Sequence, residues 1–337
     1  MPQRIGKDTI FLPSRPRVLG HAALGGKKEA QGPLSACFDQ TFDDTRLGMK
    51  TWEQAESKLQ TEAIHLALDK AALAPGDVQA IFAGDLLNQC ISSTFGLREL
   101  NIPFIGQYGA CSTMAQSASM AALFVDSGVC ETAAAVTSSH FCTAERQFRL
   151  PLEYGGQRTP TAQWTATAAG ALIFGKSGGK VCAEHVTFGR ITDFGIKDAA
   201  NMGAAMAPAA ASTLTAFFSD TQTKPEDYDA IFTGDLGKVG SALLLQLLEK
   251  NGLDLSKRHR DCGLLLYDTE KQDVHAGGSG CGCAASVLCG HILQEMEAGR
   301  LQNILLAATG ALMSTTSSQQ SESIPGISHL IHLRIRT

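Results

Sequence analysis

Aromatic side chains are scarce: Phe, Tyr and Trp together make up 6% of the 337 residues, and only two are Trp. The core must therefore be built from Ala, Leu, Ile and Val. Charge is also sparse, at 18%, and neither sign dominates, with a formal net charge of −5. That excludes a global attraction to nucleic acid or anionic lipid and leaves only a local basic patch as a route to either. Long apolar runs are missing. The longest charge-free stretch, Ala199 to Ser219, carries Asn201, Pro208 and several hydroxyls among its alanines, so it suits a buried helix better than a membrane span. The opening MPQRIGKDTI lacks the apolar run of a signal peptide. No CxxC pair is matched by a second one, and Cys281-Gly-Cys283 is too tight for a zinc ligand pair. The ten cysteines do not form a disulfide framework in a chain this long. Cys130, Cys142, Cys182 and Cys289 lie in Ala/Gly-rich surroundings, as small buried thiols of a reducing compartment do.

What is present is a 44% share of hydrophobic residues and 34 glycines. The length sets the expectation at two domains or one fused unit. A repeat decides between them. Residues 75–86 read PGDVQAIFAGDL and residues 225–236 read PEDYDAIFTGDL, identical at eight of twelve positions. Each copy follows a helical stretch, 52–73 or about 202–218. Each holds a short apolar strand closing at a glycine, and a further helix follows, around 88–100 or 238–250. A weaker repeat pairs the helix after Cys111 and the strand AAAVTSS with the helix after Cys281 and the strand NILLAATG. The offset there is longer by about twenty residues, which places an insertion within 251–280. Helices alternating with continuous apolar strands predict parallel sheets covered on both faces. The two halves divide at 1–175 and 176–337. Between two strands of the first half, HFCTAERQFRLPLEYGGQRTPTAQW (140–164) is basic, aromatic and Pro-bearing in an Ala/Gly background. Such a segment reads as a binding or interface loop.

Cys111 follows the strand-like IPFIGQY and the pair Gly109-Ala110 and precedes a helix. A thiol at a helix start meets free N–H groups and a partial positive charge, both of which favour thiolate. That is a place for a nucleophile; a buried structural cysteine is the other reading. The paired Gly84-Asp85 and Gly234-Asp235 also have two readings. Asp235 meets a calcium carried by a ligand, or each Asp caps the helix that follows it. Occurrence in both halves favours capping.

Two tandem βαβ halves, with Cys111 at the turn of the first and HAGGSGCGCAAS at the matching turn of the second, resemble the thiolase/ketoacyl synthase superfamily. The resemblance is greatest to its condensing enzymes of the ketoacyl synthase III type. It implies an α/β, thiolase-like five-layer αβαβα fold built from two pseudo-symmetric halves. FLPSRPRVLG, GDLLNQ, YGACSTM, TSSHFCTAERQFRLPLEYGGQRTPTAQWT and TGDLGKVG resemble, within that superfamily, the stage V sporulation protein AD family.

A condensing enzyme needs a His or Asn from each of two second-half turns to activate its thiol and hold the thioester oxygen. Laid on this sequence, the first position falls at or beside Gly234 and Asp235, and the second at or near Cys281. Neither supplies that chemistry, so the resemblance implies a retained fold without catalysis, in which Cys111 is a vestigial nucleophile position. An active acyltransferase using Cys111 is the alternative, with His140 or His275 as an unusual base. The resemblance further implies dipicolinic acid, pyridine-2,6-dicarboxylate, as ligand, free or as its calcium chelate, taken up into the developing spore. Guanidinium forks, hydroxyls and an apolar slot suit a flat dianion. The residues expected around it are Cys111 (as a neutral thiol), Thr137, Ser138, Ser139, His140, Arg146, Arg149, His275 and Cys281, with Arg158, Tyr154 and Trp164 nearby. No cofactor, metal or nucleic acid is expected. The expected setting is the spore inner membrane, bound peripherally with the other stage V A-operon membrane proteins, as a homodimer.

Overall fold

The structure is a computed structural model that describes residues 1–148 and 158–336. Arg149 and Tyr154 of the sequence analysis lie outside the described residues. The first half contributes β1 (Arg17–Gly26), β2 (Ala80–Gly84), β3 (Phe104–Gly106), β4 (Thr132–Ser139) and β5 (Ala168–Gly175). The second contributes β6 (Val181–Thr187), β7 (Ala230–Thr233), β8 (His259–Asp261), β9 (Asn303–Ala311) and β10 (Gly326–Ile335). The strands run in the order β8-β7-β9-β10-β6-β1-β5-β4-β2-β3. Read outward from the middle, both sides follow one scheme: first, last, fourth, second, third. The two sides join at β1 and β6 through the pairing of Arg17 with Cys182.

The sheets are not wholly parallel. β2 runs parallel to β3 and β4, and β7 parallel to β8 and β9, but β5 and β10 turn antiparallel to their neighbours. Continuous apolar strands report burial on both faces, which every central strand here has; they do not report direction.

The first repeat is legible in the backbone. Pro225–Asp227 copies the turn Pro75–Asp77. Asp77 accepts the Ala74 N–H at 2.7 Å, and Asp227 accepts that of Lys224 at 2.8 Å. The helices before them are α1 (Trp52–Ala71) and, later in the chain, α3 (Met202–Thr221). Thr51 caps α1 by accepting the Gln54 N–H, and Ala55, Leu59, Ala63, Ile64 and Ala67 form its buried stripe against β1 and β5. α3 covers β9 and β10 in the same way. Between the sheets lie α2 (Thr113–Asp126) and α5 (Cys281–Ser286), with α4 (Gly237–Lys250) outside. α2 touches strands of both halves, and α5 packs on β4 and β5 of the opposite half. A Cβ on Gly170 would lie 2.3 Å from the Ala285 carbonyl oxygen, so sheet and helix meet backbone to backbone. Such an interior needs Ala and Gly rather than aromatic rings, as the composition anticipated. The layers are those of a thiolase-like α/β fold.

Two elements differ from the sequence reading. The helix around 88–100 is broken, because Gln89 and Cys90 adopt left-handed φ of 57° and 52°. The segment from 140 begins as a helix, Phe141–Phe148. Its start is held by His140, whose Nδ1 accepts the Cys142 N–H. All ten cysteines are free, and no helix among the described residues is long and apolar enough to cross a membrane.

Candidate functional site

Cys111 sits where a sharp turn enters α2. Ala110 takes a left-handed φ of 48°, and hydroxyls brace the turn: Ser112 Oγ donates to the Gly109 carbonyl at 2.7 Å, and Thr113 Oγ1 to that of Ala110 at 2.6 Å. The helix start favours thiolate. It is outweighed, because Cys111 is buried and its thiol is pushed well above the ordinary range, first by desolvation and then by the charge of the nearby Asp235 carboxylate. The group at the floor is a neutral S–H.

Asp235, fully buried, organises that floor. Its Oδ2 accepts Ser279 Oγ–H and the Gly280 N–H, each at 3.0 Å, and its Oδ1 accepts Thr309 Oγ1–H at 2.9 Å. Ser279 Oγ lies 3.8 Å from Cys111 Sγ. Burial pushes the Asp235 carboxyl up to about 6 against these donors. The two Gly-Asp pairs therefore do different things: Asp85 accepts an N–H in the first turn of the helix Ile91–Leu97, as a cap does, whereas Asp235 caps no helix. The N–H groups of Leu236 and Gly237 at the start of α4 go instead to Asp261, at 2.8 and 3.0 Å. Asp85 binds the Leu87 and Ser93 N–H groups and holds the broken helix in place.

Above the floor is space for roughly one water, about 30 Å³, bounded by Cys111, Thr165, Ser279, Tyr108, Phe148 and Met313. The last three also border a wider outer cleft of about 330 Å³, which Asn88, Gln147, Ser314 and Thr315 reach. Among the described residues lining either space there is no Lys, Arg or His.

The other residues expected at the site lie behind or away from it. Thr137, Ser138 and Ser139 are fully buried and spend their hydroxyls inside the protein, on the Cys281 carbonyl, Glu56 and the Ala166 carbonyl. His140 is buried, bonded to the Thr45 carbonyl, and held neutral by desolvation. Cys281 packs in one apolar cluster with Cys111 but donates its thiol to the Ser138 carbonyl at 2.9 Å. Arg146 pairs with Glu53 and lies over the Trp52 ring. Arg158 and His275 both meet Asp273, at 2.9 and 3.1 Å, and Trp164 is stacked on Phe141. Sequence reasoning placed the second turn's contribution at Cys281. The chain supplies it two residues earlier, at Ser279, within the same Gly-rich string. Thr309, on a strand with no polar motif, carried no signal.

A model of the family described as Stage V sporulation protein AD matches residues 6–334. The chain belongs to this family. It is 45% identical over 324 residues to Stage V sporulation protein AD of Bacillus subtilis (strain 168), covering 96% of each chain. Membership assigns it a role in sporulation. Among solved structures it is similar to 3-oxoacyl-[acyl-carrier-protein] synthase III from Aquifex aeolicus VF5, with a TM-score of 0.59 at 13% identity over 95% of this chain and 99% of that one. It is also similar to cerulenin-bound OleA of Xanthomonas campestris, with a TM-score of 0.59 at 13% identity over 99% and 100%. At such identity these likenesses describe the fold alone.

Proposed function

We propose that the chain is a non-catalytic binding protein of sporulation whose ligand is dipicolinic acid, serving its uptake into the developing spore. The observation that carries this reading is the floor of the cleft. A buried thiol stays protonated beside a buried carboxylate, Asp235, where the condensing-enzyme pattern asks for His or Asn. A carboxylate there opposes a developing oxyanion and does nothing to generate thiolate. The outer cleft has the volume of a small-ligand site. Tyr108 and Phe148 offer apolar faces to a single ring, and Asn88, Gln147, Ser314 and Thr315 offer neutral donors. The floor has room for one carboxylate oxygen, which Cys111 and Ser279 would meet. On this reading the halves 1–175 and 176–337 stem from one repeated unit.

The protein acts at the spore inner membrane with the other stage V A-operon proteins, as a homodimer. Support for the dimer is the edge strand β3, whose Phe104 is exposed, as are Ile91, Phe95 and Tyr108 in the segments before and after it in the chain. An apolar sheet edge of that kind is ordinarily covered. Phe104→Asp should convert a dimer to a monomer in light scattering, and an unchanged mass would remove β3 from the interface.

Calorimetric titration with dipicolinate tests the ligand, and absence of saturable binding at millimolar concentration removes it. The rival reading, an acyltransferase, draws on the place of Cys111 at a helix start. Its signature is an acyl adduct from acyl-CoA thioesters, seen by intact-mass spectrometry, that turns over and is lost in Cys111→Ala.

A further inference from the structure

We infer that Asp235 decides in what protonation state the cleft takes its ligand: a carboxylate enters the floor together with one proton, which Asp235 takes up from solvent. The inference rests on the proposed ligand reading and concerns how that site works. Of the donors that bound the floor space, the hydroxyls of Thr165, Tyr108 and Ser279 and the Cys111 thiol, the Cys111 S–H and Ser279 O–H at its base are already committed. Ser279 donates to Asp235 Oδ2 at 3.0 Å, and with that proton spent the Cys111 S–H has Ser279 Oγ as its acceptor, 3.8 Å away. A ligand carboxylate oxygen seated at that base recruits these donors, since no ammonium, guanidinium or imidazole among the described residues lines the space. Asp235 then keeps only the Gly280 N–H and Thr309 O–H, and faces a second anion across a water-poor gap. Two carboxylates in such contact do not both stay ionised. One proton shared between them converts repulsion into a short charge-assisted hydrogen bond.

The surroundings leave Asp235 as the group that takes the proton. Facing it are Cys111 from the turn before α2, Ser279 and Gly280 from the start of α5, Thr309 from β9, and Asp261 from the end of β8. Cys262 and Cys283 lie just beyond, their thiols pushed far up by burial and by these carboxylates. The cysteines are therefore already protonated. Asp261 carries four donors of its own, from Thr233, Leu236, Gly237 and Leu264, and does not border the cavity. Asp235 is already raised to about 6 in the empty protein, so little further shift is needed to protonate it at neutral pH. Below that value it is protonated before the ligand arrives, and binding is indifferent to pH. Above it, each unit of pH should weaken binding, up to about tenfold.

The test is calorimetry of dipicolinate binding to the full chain at pH 7.5, in phosphate and in Tris, whose different ionisation enthalpies report the protons exchanged. We expect close to one proton taken up per ligand, and a Kd that rises between pH 6.5 and 8.5. In Asp235→Asn we expect near-zero uptake and a flat pH profile. Saturable wild-type binding without proton uptake overturns the inference and leaves the ligand reading standing. Uptake unchanged in Asp235→Asn overturns the assignment to Asp235. If the Asn variant does not fold, Ser279→Ala serves: it removes one of the shared donors and should weaken binding while leaving the uptake. Absence of binding at every pH from 5.5 to 8.5 removes the ligand reading, and the inference with it.

Discussion

Glu56 on α1 is the most informative group to perturb away from the cleft. It is fully buried behind the floor, with Ser138 Oγ 3.1 Å from Oε1 and Thr143 Oγ1 2.7 Å from Oε2. Desolvation, and then the nearby Asp85 carboxylate, push its carboxyl from 4.5 up to about 8, so at neutral pH it is an uncharged acid. Glu56→Gln keeps the shape and the neutral hydrogen-bonding capacity, with the amide replacing the acid O–H. In the wild type the folded state holds this proton more tightly than the unfolded state does. Its contribution to stability is complete below pH 4.5, declines as pH rises, and is gone above about pH 8. The full span corresponds to about 5 kcal/mol. With an unfolding entropy scaled to a chain of this length, that is about 7 °C in Tm. Thermal unfolding of both proteins at pH 5, 7 and 9 is the assay. The variant should match or trail the wild type at pH 5 and overtake it by several degrees at pH 9. Parallel curves would mean that Glu56 is ionised in the folded protein, and the account of the buried polar layer would be wrong.

Three further outcomes follow from the geometry. Alkylation of Cys111 by iodoacetamide, followed by intact mass, should run at least ~10-fold slower at pH 8 than for a free cysteine and still be climbing at pH 9.5; a plateau near neutrality would reveal a thiolate and an activating base. Gly170→Ala should cost about 3 kcal/mol or more in urea unfolding, since the new methyl meets the Ala285 backbone rather than a flexible side chain. A loss under 1 kcal/mol would show that the central layer yields easily. Arg146→Ala should leave dipicolinate affinity within about twofold, because its guanidinium is engaged by Glu53; a tenfold loss would put the ligand against the helix Phe141–Phe148 instead of the cleft.

Much of the architecture was legible in the chain because one pattern is written twice. PxDxxAIFxGDL specifies turn, strand and glycine in each half, so the symmetric strand order follows from local signals. Strand direction was not legible, because β5 is as apolar as its parallel neighbours, and β10, although it carries Ser328, His329, His332 and Arg334, is buried over most of its length like the strands beside it. At the site, Cys111 could be found from its place between a glycine turn and a helix. Asp235 was visible as an oddity, but its role was not, since the same dipeptide at Gly84-Asp85 performs a purely structural task. The arginines of 140–158 drew attention because cations are rare in this chain, yet Arg146 and Arg158 are both matched by acids distant in sequence, Glu53 and Asp273. Sequence spacing says where a charge is, and only the fold says what neutralises it.

The position of β10 bears on how the protein is made. This strand, Gly326–Ile335, lies between β9 and β6 in the interior of its sheet, although it is translated after both of them. A nascent chain emerging from the ribosome therefore exposes β6 and β9 with an open flank until residue 335 has cleared the exit tunnel. The first half has no such delay, since β5 arrives before the second half begins. The N-terminal sheet thus has all five of its strands before its twin begins, whereas the second sheet keeps two apolar edges open, and free to pair with a wrong neighbour, until its last strand is made.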